Sequence, residues 1–298
     1  GALTVALRSS MDTTATGTIT LKLSPVGWQK AFTGPNLAAY QSRDPAGTAC
    51  LLRVDDTGSK VARCVGYESM TGISAGIGAF PGSGQRPGGT YWTKSNGADG
   101  NARAWSLIAD SRLFYLLVNY HPAFPLGGAF TAFGDLDPVS SADAWACVLS
   151  GYASDKSASA PGDTNDYGVL RAAADELYIA RAYTTVGIAQ GYKAFPLIVP
   201  STTTGFASGA GPMPYPNGPD AGLYLGPHYV MEAFIHCLRG MSPGLYCCPQ
   251  NLPLAAFSAN ARIAAGDNLL GKSLRVVPFG AGAGTAAVAF FDVTGPWR

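Results

Sequence analysis

The amino-acid sequence predicts a mainly β protein, an antiparallel β-sandwich or barrel-like architecture with long Gly/Pro-rich loops and little helix. Short runs rich in β-branched and aromatic residues recur about every 8 to 15 residues, and clusters of Gly, Pro, Asn and Asp separate them. Only YGVLRAAADELYIARAY has a respectable helix composition, and its Tyr178, Ile179, Tyr183 and Thr184 lean it toward strand.

The first clear strand is TGTITLKL, where Ile19, Leu21 and Leu23 share one face and Pro25 ends the run. A turn-rich connection leads into TACLLRVDDTGSKVARCV, which reads as a β-hairpin. A three-residue loop of Asp56, Thr57 and Gly58 would gather Cys50, Leu52, Val54, Ala62 and Cys64 on one face, whereas a one-residue slip would put Arg63 among them. That register makes Cys50 and Cys64 facing thiols across the hairpin. After a glycine-rich loop, TYWTKS, ARAWSLIAD, RLFYLLVNY, GAFTAFGD, DAWACVLSG, ELYIARAYT, KAFPLIVP, HYVMEAFIHCL, GLYCCP, SLRVVPFG and AAVAFFDV follow as strand candidates. Residues 1–26 read as an N-terminal β segment, the remainder of a truncated or processed N-terminal part. Residues 27–298 read as the main β-rich domain, with possible divisions in the low-complexity stretches 154–166 and 201–222.

Charged residues make up 13% of the chain, about half the usual share, and the 38 glycines in 298 residues are about twice the ordinary frequency. A surface so poor in charge suits a protein covered by neighbours. A formal net charge of +1 and the lack of basic runs exclude a nucleic-acid partner, which would need a cationic face to displace counterions. No stretch of about 18 apolar residues is present, so membrane insertion by a helix is not expected. The six cysteines are too few for a disulfide scaffold and no Asn-x-Ser/Thr acceptor occurs, which points to synthesis in a reducing cytoplasm.

No motif carries convincing chemistry, and the sequence predicts neither an enzyme nor a bound cofactor or metal. GISAG matches a nucleophile elbow around Ser74, but IGAFPGSGQ after it cannot start the required helix. Asp135, Asp137 and Asp143 lie close enough for a hard cation, yet they lack the glycine and terminal glutamate of a calcium loop. His228, His236, Cys237, Cys247 and Cys248 have no zinc-type spacing, and the adjacent pairs would point to opposite faces of a strand. The three glutamates, Glu68, Glu176 and Glu232, nominate no carboxylate pair. Trp105 and Trp145 fall inside strand patterns and are expected in the core. An exposed sugar-binding surface would instead need rings such as Tyr91, Trp92, Tyr215, Tyr224 and Tyr229.

Taken together, GWQKAFTGPNLAAYQS, LLRVDDTGSKVARCVGYESMTGI, GGTYWTKS, ARAWSLIADSRLFYLL, FGDLD, LRGMSPGLY and FDVTGPWR resemble a family of structural virion proteins of tailed bacteriophages and prophages of proteobacteria. None of these stretches is a catalytic signature. The resemblance implies a virion component assembled in the host cytoplasm, associating with copies of itself and with other virion proteins. It favours the tail or baseplate region, with a capsid-associated decoration protein or a receptor- or glycan-binding module at the tail tip as alternatives, the last with a host surface glycan as partner. The terminal GPWR then reads as a docking tail: Pro296 fixes the approach, Trp297 offers a large apolar ring with one donor, and Arg298 adds a guanidinium. Burying the indole would stabilise the docked tail by about 2 to 3 kcal/mol.

Overall fold

The computed structural model describes residues 4–11, 27–95, 97, 103–120, 129–152, 177–183, 189–197, 213–214, 225–232, 235, 237–247, 250–251, 262–263, 274–279, 287–294 and 296–298. The strands in chain order are β1 (Thr4–Met11), β2 (Trp28–Gly34), β3 (Leu37–Ser42), β4 (Leu51–Asp55), β5 (Val61–Gly72), β6 (Ala75–Phe80) and β7 (Thr90–Thr93). They continue with β8 (Arg103–Ala109), β9 (Leu113–Val118), β10 (Ala129–Asp135), β11 (Asp137–Pro138), β12 (Cys147–Ser150), β13 (Leu177–Arg181) and β14 (Ala189–Leu197). The last are β15 (Met213–Pro214), β16 (Gly226–Glu232), β17 (Leu238–Cys247), β18 (Gln250–Asn251), β19 (Arg262–Ile263), β20 (Leu274–Phe279) and β21 (Ala287–Asp292). No helix occurs among the described residues, and the two principal sheets are antiparallel throughout, so the predicted all-β class holds.

The larger sheet runs β1-β8-β9-β10-β12-β13-β14-β16-β17-β21-β20-β19, and β11 also pairs with β17. Only Leu136 separates β10 from β11, so that last pairing returns the chain after β10 to β17, five strands further along the sheet, and closes β10-β12-β13-β14-β16-β17 into a barrel-like circuit. The smaller sheet runs β2-β3-β4-β5-β6, with β7 pairing along the first part of β5.

The two sheets and the returning half of the larger one make three layers, and the middle layer is buried on both faces. In β9, Phe114, Leu116 and Val118 join one apolar cluster with Trp28, Leu52, Val54, Cys64, Phe80 and Trp92 of the smaller sheet. The alternating Leu113 and Tyr115 join a second cluster with Val230, Leu245, Ala289 and Phe291 of the returning half. β8, β10, β12 and β13 divide their side chains between the same two clusters. Period-two alternation sends neighbouring residues to opposite faces, so strands covered on both sides must be apolar throughout. LFYLLV and CVLS are such runs. The edge strand β2 is blunted by the exposed Lys30 and by a register shift between Lys30 and Phe32, both of which discourage pairing with another chain.

Several sequence expectations are corrected. The register of the β4–β5 hairpin pairs Val54 with Cys64 and Asp55 with Arg63, so Cys50 and Cys64 do not face each other. The loop is longer than the three residues expected because Lys94, fully buried, draws the Asp56 carboxylate and the Gly58 carbonyl (2.6 Å) to its ammonium. The observed register differs from the expected one by an even number of residues, so the same side chains face the core and Cys50, Leu52, Val54, Ala62 and Cys64 all remain in one cluster. HYVMEAFIHCL is not one strand: β16 ends at Glu232, whose N–H donates to the Cys237 carbonyl at 2.9 Å to close a hairpin. In DAWACVLSG the strand begins only at Cys147, because Asp143 Oδ1 accepts the Trp145 N–H (3.0 Å) and holds a turn. TGTITLKL lies outside the described residues, and the first described strand is instead β1, paired with β8. The stretch 154–166 lies outside them too, as does 201–222 apart from β15, while β12 pairs directly with β13 across the first of these stretches.

Indole N–H groups tie the layers where they meet. Trp92 donates to the Ser150 carbonyl at 2.7 Å and Trp28 to the Asp110 carbonyl at 3.0 Å. Trp92→Phe keeps a ring in place but strands the Ser150 carbonyl in the core. It is expected to lower the unfolding free energy by about 1 to 3 kcal/mol, read from urea denaturation.

Candidate functional site

A cleft of about 440 Å³ opens where the β10–β12 connection, the end of β13 and β17 converge; its walls include Ser140, Asp143, Trp145, Arg181, Tyr183 and Arg239. Its floor is ionic. Arg239 is fully buried and donates from Nε (3.0 Å) and Nη2 (2.8 and 3.1 Å) to the two oxygens of Asp143. Its Nη1 donates to Glu232, also fully buried, and to the Arg181 carbonyl. Glu232 Oε1 further accepts the Tyr183 N–H at 2.7 Å. The Tyr183 ring lies over the Arg239 guanidinium, 4.0 Å from its carbon, and its hydroxyl donates to Asp143 at 2.9 Å. Burial first, and then the Asp143 carboxylate, raises the Tyr183 pKa, so the phenol stays a hydrogen-bond donor.

A second stack stands beside the first. Arg181 lies 3.7 Å from the Trp145 ring centre and is held in place by a two-point ion pair with Glu68 of β5. Its side chain links the larger sheet to the smaller one. The hydrogen bonds to Glu68, above all, push the Arg181 pKa up. Trp145 was expected inside a strand; it sits on a turn, half-buried, where its ring is a platform for a cation.

Each charged side chain in this network faces an opposite charge, and Glu232 Oε2 is the carboxylate oxygen left without a hydrogen bond. The network is built to hold the β13 end, the β16–β17 hairpin and the β10–β12 connection in one arrangement. Among the described residues four large hydrophobics are exposed, Ile77, Val139, Tyr183 and Ile235. Tyr183 lines the cleft, Val139 precedes its Ser140, and Ile235 lies on the hairpin held at Glu232. Val139 donates its N–H to the Arg239 carbonyl at 3.0 Å, Tyr183 stacks on the guanidinium, and Ile235 tips the hairpin that starts at Glu232.

The C-terminal residues dock within their own chain. Trp297 is partly buried, its indole N–H donates to the Asp292 carbonyl (3.0 Å), and its ring centre is 5.7 Å from that of Tyr115. Gly244 makes this possible: at φ +70 it takes a conformation that favours glycine, and a Cβ there would overlap the indole. Arg298 reaches Asp110 (3.0 Å) and Asp137 (2.9 Å) and donates to the carbonyls of Asp135 and Leu136. Pro296 is exposed.

The remaining sequence candidates are dispersed. Ser74 occupies the two-residue turn between β5 and β6, where Gly72 pairs with Ala75, and a strand, not a helix, follows it. Asp135 accepts from the Thr48 hydroxyl (2.6 Å) and N–H (2.9 Å), Asp137 binds Arg298, and Asp143 binds Arg239, so the three acids point to three different partners. His228 Nδ1 meets the Ser242 hydroxyl at 2.8 Å, Cys247 is buried and Cys237 half-buried. His236, Cys248, Glu176, Tyr215 and Tyr224 lie outside the described residues. Trp92 is a core residue and leaves the set of surface rings. Sequence reasoning missed Arg181, Tyr183 and Arg239. The available signal was a lone charge in an apolar strand: Arg239 is the single ionisable side chain of LRGMSPGLY apart from its tyrosine.

The chain matches no family model and no curated protein.

Arg239→Met leaves Asp143 and Glu232 buried without their shared cation, and is expected to cost about 3 to 5 kcal/mol in urea unfolding. Arg298→Ala should cost less and in a pH-dependent way. Burial raises the pKa of both Asp135 and Asp137 while Arg298 opposes the rise. Without Arg298 the penalty of burying these carboxylates is full when they are ionised at neutral pH, and it is relieved as pH falls through their raised folded values. The stability gap between wild type and variant therefore narrows on acidification, measured as urea midpoints across that range.

Proposed function

We propose that this chain is a structural component of a tailed-phage virion, placed in the tail or baseplate region and acting through interfaces between subunits. The observation that carries the reading is the exposure of Val139, Tyr183 and Ile235 on segments that the ion pairs of Arg239 hold in place. Exposed apolar groups gathered on a rigid support mark a contact surface, and the support here is fixed by ion pairs before any partner arrives. The charge content of 13% agrees with a surface meant to be covered. The segments that resemble phage virion proteins include FGDLD and LRGMSPGLY, which lie close in sequence to Val139 and Ile235, and FDVTGPWR, which carries the C-terminal clamp. Partners are further copies of the chain and other virion proteins, and the work done is mechanical.

Light scattering after size-exclusion chromatography of the whole chain should give a multiple of the 30.7 kDa subunit mass. Val139→Asp with Ile235→Asp should shift the population toward monomer without changing the thermal midpoint. A wild-type monomer that never cofractionates with particles refutes the reading.

A further inference from the structure

Two buried thiols meet across the interface between the sheets. Cys50 immediately precedes β4 of the smaller sheet and Cys147 opens β12 of the larger one; both belong to the same apolar cluster and both are reduced. Backbone geometry brings them together. Thr48, two residues before Cys50, is bound through its N–H and its hydroxyl to Asp135, and Asp135 is the cross-strand partner of Cys147. Cys50 follows Thr48 across Ala49, whose positive φ of 59° turns the chain, and enters the same apolar cluster as Cys147. After burial, the neighbouring Cys50 thiol is the next influence that raises the Cys147 pKa, and the Thr48 side chain lowers it, so both groups lie beside Cys147.

We propose that Cys50 and Cys147 are a latent disulfide site that joins the two sheets covalently when the protein folds under oxidising conditions. In a glutathione buffer, one thiolate attacks oxidised glutathione, forming a mixed disulfide and releasing one glutathione thiolate. The second cysteine thiolate then attacks the protein sulfur of that mixed disulfide and releases the second glutathione. Two protein thiols are thereby oxidised, one glutathione disulfide is reduced to two thiols, and the two protons lost by the protein thiols end, through solvent, on the two released glutathione thiolates. Burial pushes the Cys147 thiol well above its ordinary pKa, so the thiolate is scarce in the packed state. Both thiols are also almost inaccessible. The bond therefore forms before the sheets close or while they are open, and the folded, reduced protein resists oxidation. The site is independent of the proposed virion role, since it rests on the contact between the sheets alone.

The test is to produce the whole chain in a bacterial host with a reducing cytoplasm and in one whose cytoplasm permits disulfides. Each sample is blocked with N-ethylmaleimide in denaturant, digested without reduction and mapped by mass spectrometry. The expected result from the oxidising host is a linked pair of peptides carrying Cys50 and Cys147, two hydrogens lighter than their sum. Closing a loop of about 97 residues should raise Tm by about 5 °C over the same sample treated with dithiothreitol. Cys64→Ala should keep both the link and the shift, while Cys50→Ala and Cys147→Ala should each lose both. Cys50 and Cys147 both recovered as maleimide adducts from the oxidising host, or Cys50 linked chiefly to Cys64, would overturn the proposal.

Discussion

Everything in this molecule follows from a layer of strands that has no wet side. β8, β9, β10, β12 and β13 bury one face against the smaller sheet and the other against the returning half of their own sheet. A sheet with two apolar faces cannot stop at one partner. The smaller sheet covers the first, and the chain must come back through β14, β16 and β17 to cover the second. The pairing of β11 with β17 fastens that return, and Trp297 fills the seam over Gly244 beside Tyr115 and Phe291.

The polar groups inside follow the same logic. Layers that must stay in register are held by short directional bonds at their margins: Trp28 to Asp110, Ser42 to Ser111 (2.6 Å), Ser111 to Asp44 (2.6 Å), Thr48 to Asp135, and Arg181 to Glu68. A buried ion pair gains little net stability over apolar packing, because desolvation offsets most of the Coulomb attraction, yet breaking one is costly. Such pairs specify an arrangement more than they strengthen it. Arg239 illustrates the point, since a single guanidinium binds Asp143, one oxygen of Glu232 and the Arg181 carbonyl and thereby joins three segments of the chain.

The sequence made many of the strands legible because period-two patterns and Gly/Pro punctuation are local, but β2 and β3 form where it read a turn-rich connection and β6 where it read a glycine-rich loop. It could not reveal which of two registers the β4–β5 hairpin takes, since an even shift leaves the facing pattern unchanged. The deciding interaction, Lys94 with Asp56, spans a separation that no local pattern encodes. The C-terminal tail was legible as a docking element from its composition, but its socket depends on Gly244 and Asp110. The cleft was invisible for the same reason: Asp143, Arg181, Glu232 and Arg239 are unremarkable singly and become a site only through the topology of the larger sheet. Cys50 shows how a correct face and a wrong register combine: it is buried in the core cluster as expected, together with Cys64 and Cys147, but it does not face Cys64 across the hairpin.

The interior placement of charge has a consequence for the exterior. Lys94, Arg103, Asp135, Glu232, Arg239, Arg275 and Asp292 are all buried, so a chain already poor in ionisable residues withdraws several of them from its surface. What remains outside is polar mainly through Ser, Thr, Gly and main-chain groups, and long-range repulsion between copies is correspondingly weak. Exposed side chains such as Ile77 in β6, Val139 and Ile235 then meet little long-range opposition to contact. Charge used to fix the layers is charge unavailable for keeping copies apart, so the residues that make the fold specific also lower the long-range repulsion of its surface.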